Sequence, residues 1–180
     1  RGNQFSTISC FVFILRRKCI FLPYCKYSKM LVLNLPKYSF KIKESEGKKC
    51  IFDRCRRKFV ALTPEEWVRQ NMVEFLINEK EYTPSLIGNE VTVKMNNMQK
   101  RCDTVIYDRS GMPILIIEYK APHIEITQKT FDQIAMYNFK LKVNYLIVSN
   151  GINHYCCKID YENQKYHFLQ EIPARNEIEH

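Results

Sequence analysis

The 180-residue chain has no apolar run of the roughly 20 residues that a membrane-spanning helix needs. Its leading apolar stretch, 10–15, is cut by Arg16, Arg17 and Lys18, and it lacks the basic start and small-residue cleavage site of a secretory signal. No GxxxxGK[ST] phosphate loop occurs, which excludes ATP hydrolysis by that route. The eight cysteines form no regular framework. Cys50 and Cys55 have no second pair at metal-ligand spacing, and adjacent Cys156 and Cys157 would face opposite sides of a strand. A secreted disulfide scaffold is therefore disfavoured, as is structural zinc, which needs four convergent ligands. A reducing cytoplasm is the expected setting. His123, His154, His167 and His180 show no ligand spacing either.

What remains is a composition of 46% hydrophobic and 26% charged residues, that of one globular domain with a proper core. The formal charge of +9 invites a nucleic-acid partner, but its distribution weakens that inference. Residues 1–29 carry Arg1, Arg16, Arg17, Lys18, Lys26 and Lys29 and no acid; without them 22 basic residues face 19 acidic ones, a net of +3. Met30 is the expected natural start, with 1–29 a leader outside the domain; a short amphipathic surface anchor is the alternative.

The stretch with most chemical content is DTVIYDRSGMPILIIEYK at 103–120. It predicts a β-hairpin turning at Asp108-Arg109-Ser110-Gly111. Side chains alternate across a strand, so Ile114, Ile116, Glu118 and Lys120 share one face. A turn with Asp108 opposite Gly111 pairs Asp103 with Ile116, which sets Asp103 on that face as a diagonal neighbour of Glu118, at a Cβ separation of roughly 5 to 8 Å. Two carboxylates so spaced can share one divalent cation with hard-oxygen preference, and Lys120 would stand beside it.

Asp103 followed by Glu118-Tyr119-Lys120 across a hairpin resembles the D…(D/E)xK signature of the PD-(D/E)xK nuclease superfamily. LTPEEW at 62–67 with VRQ after it, RCDTVIYD at 101–108, IIEYKAP at 116–122, QIAMYN at 133–138 and VSNG at 148–151 together resemble the N-terminal nuclease domain of type I restriction enzyme R proteins, over roughly 33–173. Cys102 stands where the superfamily's name expects proline. The resemblance implies a restriction-endonuclease-like α/β core, Mg2+ or Mn2+ as cofactor, DNA as substrate and restriction-system subunits as partners. It also implies that a first-helix acid, here Glu66, reaches the metal, although Glu66 equally suits a helix-dipole partner. Gln133 and Tyr137, four apart on one helical face, become substrate-side or supporting residues, or else a polar helix face with Tyr137 half buried.

The remaining elements are read locally. Within an N-terminal extension over 30–62, short strands are expected near 50–53 and 58–62, and the cluster Arg54, Arg56, Arg57 and Lys58 is either a solvated turn or a phosphate contact. The nuclease-like domain is expected over 63–173. Thr63 as cap, Pro64 in the first turn and the acids Glu65 and Glu66 predict a helix to about 79, along which Arg69 would pair with an active-site acid or a phosphate. Strands are expected over 90–95, 101–107 and 113–120, a helix over about 127–141, a buried strand over 143–149, and a terminal hairpin of 152–159 and 165–171 before a frayed tail, 174–180. The order α-β-β-β-α-β predicts a mixed sheet flanked by helices, with the C-terminal hairpin added.

Function is then expected to be metal-assisted hydrolysis of a DNA phosphodiester, with Asp103 and Glu118 as metal ligands and Lys120 as a point charge. The chain would act as a stand-alone or partner-dependent nuclease, or as the nuclease part of a system whose motor lies elsewhere. The alternative is a nucleic-acid-binding or assembly module that keeps the fold without useful turnover.

Overall fold

The computed structural model describes residues 32–95, 98–163 and 165–178, so the expected leader lies outside the described residues. The first strands are β1 (Ile42–Ser45), β2 (Lys48–Asp53) and β3 (Lys58–Ala61), which form a separate antiparallel three-stranded sheet. Helix α1 (Pro64–Glu79) follows, then β4 (Ile87–Met95), β5 (Met98–Tyr107) and β6 (Pro113–Tyr119). Helix α2 (Gln128–Leu141), β7 (Tyr145–Ser149), β8 (His154–Asp160) and β9 (Lys165–Leu169) complete the order. The second sheet runs β4-β5-β6-β7-β8-β9. All its neighbours are antiparallel except β6 and β7, which α2 joins as a crossover and which lie parallel.

Apolar burial explains the layering. Strand β6, PILIIEY, is buried along nearly its whole length, as a strand covered on both faces must be. On one face Leu115, Ile117, Tyr119 and Ile147 pack with Val68, Met72, Val73 and Leu76 of α1. On the other, Val105, Ile116, Leu146 and Val148 pack with Ile134 of α2. Thr63 caps α1 by accepting a hydrogen bond from the Glu66 N–H at 3.0 Å. The fold is thus the mixed α/β core expected from the residue pattern, with helices on both faces of the sheet.

Several local features differ from expectation. Strand β1 falls in the polar stretch KIKESEGKK; it is exposed throughout and carries no alternation to reveal it. Its turn into β2 uses Glu46 and Gly47, both at positive φ, the conformation a tight hairpin needs. The β5–β6 register is Thr104 with Ile117 and Val105 with Ile116, two residues away from the expected pairing. The turn is wider than four residues: the Asp108 carboxylate accepts from Ser110 N, Ser110 Oγ and Met112 N, and the ladder bulges between Ile106 and Tyr107. The stretch after Pro173 is packed, because Arg175 N donates to Lys80 O, Tyr82 Oη donates to Pro173 O, and Ile178 is buried. No helix among the described residues is long and apolar enough to cross a membrane.

Ile147 is fully buried between α1 and its neighbouring strands. Ile147→Ala is expected to lower unfolding free energy by about 2–5 kcal/mol, measured by urea titration followed by circular dichroism. A loss below about 1 kcal/mol would mean that the sheet and α1 are not packed as described.

Candidate active site

The site is assembled where the β4–β5 ladder breaks. Asn89 pairs with Thr104 and Val91 with Cys102, whereas Glu90, at φ 59°, is displaced between them. Asp103 lies at the corresponding point of β5, one residue beyond the last β5–β6 pair, Thr104–Ile117. The register differs by two residues from the expected one, and the Asp103 side chain meets Arg69 of α1 whereas Glu118 meets Gln133 of α2.

Asp103 is held on both oxygens. Its Oδ1 accepts from Arg69 Nη2 at 2.9 Å, and its Oδ2 accepts from the Tyr119 backbone N–H at 2.9 Å. Arg69, only 3% exposed, also donates to Glu66 at 2.6 Å and pairs with Glu90 at 2.7 Å and with Glu65 at 3.9 Å. Its guanidinium lies 5.5 Å from the centre of the Tyr119 ring. Helix α1 therefore reaches the sheet through one buried cation.

Glu118 Oε1 accepts from Lys120 Nζ at 2.8 Å and from Gln133 Nε2 at 2.6 Å. Lys120 Nζ also lies 3.3 Å from Gln133 Oε1, so α2 contributes one side chain that touches both members of the strand pair. Tyr137 follows one turn later on α2, and its side chain lies outside the described part of the structure. Asp103, Glu118, Lys120, Gln133 and Arg69 are thus brought together. Glu66 is turned elsewhere: it accepts from Arg56 at 2.5 Å, from Gln70 at 2.7 Å and from Arg69. The first-helix acid that interacts electrostatically with Asp103 and Glu118 is its neighbour Glu65.

The basic cluster is also redistributed. Arg54 pairs with Glu74 at 3.0 Å, and Arg56 pairs with buried Asp53 as well as Glu66. Asp53 is itself fastened by the backbone N–H groups of Cys55 and Arg56 and by Asn89 Nδ2. Both arginines are committed to acids of the protein, which removes them as ready phosphate contacts. Glu65, Glu90 and Asp53 left no signal in the sequence, since neither the phase of a helix start nor a positive-φ residue within a strand can be read from residue order alone.

The electrostatics show an unbalanced charge. Burial pushes the Glu118 carboxyl up, and the neighbouring Asp103 pushes it further, to about 7, against the pull of Lys120. Burial likewise raises Asp103 despite Arg69, and raises Glu65, with Asp103 adding to the effect. Burial disfavours the Lys120 ammonium, but its bond to Glu118 and the surrounding acids hold its pKa above the usual value. Among the described residues no three His, Cys, Asp or Glu side chains converge as a ready ligand set. The oxygen donors Asp103 and Glu118 nevertheless fit a hard divalent cation of the magnesium type, which takes one or two carboxylates and fills its remaining positions with water and substrate phosphate.

This fold and cluster define a restriction-endonuclease-like α/β core. The family description "Type I restriction enzyme R protein N terminus" matches residues 64–173, and the chain belongs to that family. Among solved structures, a fragment described as an HsdR subunit of a type I restriction enzyme from Vibrio vulnificus YJ016 is similar, at 22% identity and a TM-score of 0.48. That match covers 65% of this chain and 24% of the other. A comparison with curated proteins returned no match.

Carboxyl-resolved NMR titration is expected to give Glu118 a midpoint near 7. Asp103→Asn removes a negative neighbour and should move that midpoint down. Because the folded value lies above the ordinary 4.5, the carboxyl's contribution to stability is present below about 4.5 and is lost as pH rises through about 7. A midpoint that Asp103→Asn leaves unmoved would separate the two carboxylates electrostatically.

Proposed function

We propose that the domain is a divalent-cation-dependent DNA endonuclease that hydrolyses phosphodiester bonds, the nuclease part of a restriction system working in the cytoplasm. Family membership supports the restriction context. The observation that carries the chemistry is the buried pair Asp103 and Glu118: burial first, and the neighbouring Asp103 second, raise Glu118 to about 7 with Lys120 at 2.8 Å. A buried acid pair that favours protonation when alone is a pair suited to a 2+ ion.

Asp103 and Glu118 would hold magnesium or manganese, with Glu65 near enough to add charge from α1. When bound, such an ion supplies Lewis-acid polarisation of the phosphate and acidifies a water. Arg69 and the Tyr119 N–H fix the orientation of the Asp103 carboxylate. Gln133 fixes Glu118 and faces Lys120, whose ammonium is placed to offset charge building on the phosphate oxygens. Gln133, and Tyr137 one turn on, would lie on the substrate side. Motor and specificity functions would come from other subunits or segments, since the 180 residues hold no phosphate loop for ATP.

A nucleic-acid-binding or assembly module without turnover is the competing function, favoured by one observation: both oxygens of Asp103 already accept hydrogen bonds. Nicking of supercoiled DNA with magnesium and with EDTA separates the two. Wild-type protein is expected to nick only with the metal. Glu118→Gln and Lys120→Ala should each cost about a hundredfold or more in rate while circular dichroism stays unchanged. Equal nicking in EDTA, or full activity in both variants, would contradict the proposal.

A further inference from the structure

A groove of about 520 Å³ opens beside the carboxylate cluster, lined by Arg56, Lys58, Asn89, Glu90 and Arg101. None of the five is apolar, which sets it apart from small-molecule pockets, whose walls are mostly hydrophobic. Its base is rigid. Arg56 is locked onto Asp53 and Glu66, and Asn89 bridges Asp53 at 2.9 Å and Thr104 at 2.7 Å. Its one acid is neutralised from two sides, because Glu90 binds Arg69 at 2.7 Å and Arg101 at 2.5 Å.

Two cations in the lining are available. The Arg101 side chain is 68% exposed and meets Glu90 through Nε. Lys58 is exposed and makes no ion pair among the described residues. The groove is also tied to the catalytic cluster: Glu90 and Asp103 are bound by the same Arg69 guanidinium. Lys58 comes from the β2–β3 hairpin, outside the family-matched residues 64–173, and Arg101 from β5, two residues before Asp103.

We infer that this groove holds the phosphate backbone of duplex DNA flanking the bond to be cut, with Lys58 and Arg101 as its contacts, so that the three-stranded sheet forms one wall of the substrate channel. The assignment rests on the nuclease function proposed above. It follows from chemistry on the page: paired exposed cations on a polar, pre-organised base, adjoining two carboxylates, suit a polyanion whose next phosphate enters the site. Positioning contacts of this kind carry no base preference, so the groove contributes affinity and register and leaves sequence choice to other parts of the assembly.

The test is fluorescence anisotropy of a labelled DNA duplex in EDTA across a salt series, with nicking measured in parallel in magnesium. Proteins compared are wild type, the Lys58→Ala/Arg101→Ala double variant, and Lys165→Ala on exposed β9 as a single-charge control. The double variant should reduce the slope of log affinity against log salt by about 2, one per lost phosphate contact, and should raise KM with kcat retained. Lys165→Ala should leave the slope unchanged.

A double variant with wild-type slope and KM, in a wild type that does nick, overturns the groove assignment alone. Wild-type protein that binds through the groove but never nicks supports the groove and removes the catalysis. Wild-type protein that neither binds nor nicks removes both. Equal slope loss in Lys165→Ala, or a slope effect seen with duplex RNA and absent with DNA, also overturns the assignment.

Discussion

Arg69 is the cation through which helix α1 is fastened to the sheet. A buried guanidinium must be paired to be tolerated, and this one meets Glu66, Glu90 and Asp103 within 3 Å. Those acids come from a helix, from a displaced residue of β4 and from β5, so the placement of three elements converges on one side chain. Its Nε is buried without a hydrogen-bond partner among the described residues, a cost accepted at the centre of the network. The apolar contacts of Val68, Met72 and Leu76 supply the driving force for docking α1. Arg69 decides which way the Asp103 carboxylate faces once docked.

The network extends in two directions. Through Glu66 it reaches Arg56 and Asp53, so the three-stranded sheet is attached by the Arg56–Glu66 ion pair and by the Asn89–Asp53 hydrogen bond rather than by strand pairing to the larger sheet. Through Asp103 it reaches the Tyr119 N–H and hence the strand that carries Glu118 and Lys120. Burial disfavours charge at that end first, because the surrounding apolar strands exclude water, and the neighbouring acids add to it. The resulting pressure toward protonation of Glu118 is what a divalent ion would relieve.

Much of this was legible in the residues, for reasons that can be named. Thr63-Pro64-Glu65-Glu66 declares a helix start by chemistry that tertiary context rarely overrides, and the continuous run ILII declares a strand covered on both faces. The β5–β6 register, by contrast, differed by two residues, because the Asp108 turn is wider than four residues and the ladder bulges after Ile106. Phase was harder. Glu65 and Glu66 are adjacent, and only the docking angle of α1 decides which one neighbours Asp103. The arginines at 54 and 56 read as a basic patch because their acidic partners, Glu74, Asp53 and Glu66, are remote or uninformative in sequence. Strand β1, exposed on every residue, offered no pattern to read.

Asp103 and Glu118 jointly holding one divalent cation is the claim on which the enzymatic account stands. Calorimetric titration of Mn2+ into the protein at pH 7.5 tests it without reference to any substrate. The account predicts one site per chain, weakened at least about tenfold when either carboxylate is converted to its amide, with some proton release because Glu118 titrates near 7. Manganese binding that is absent in the wild type, or undiminished in both Asp103→Asn and Glu118→Gln, would contradict it.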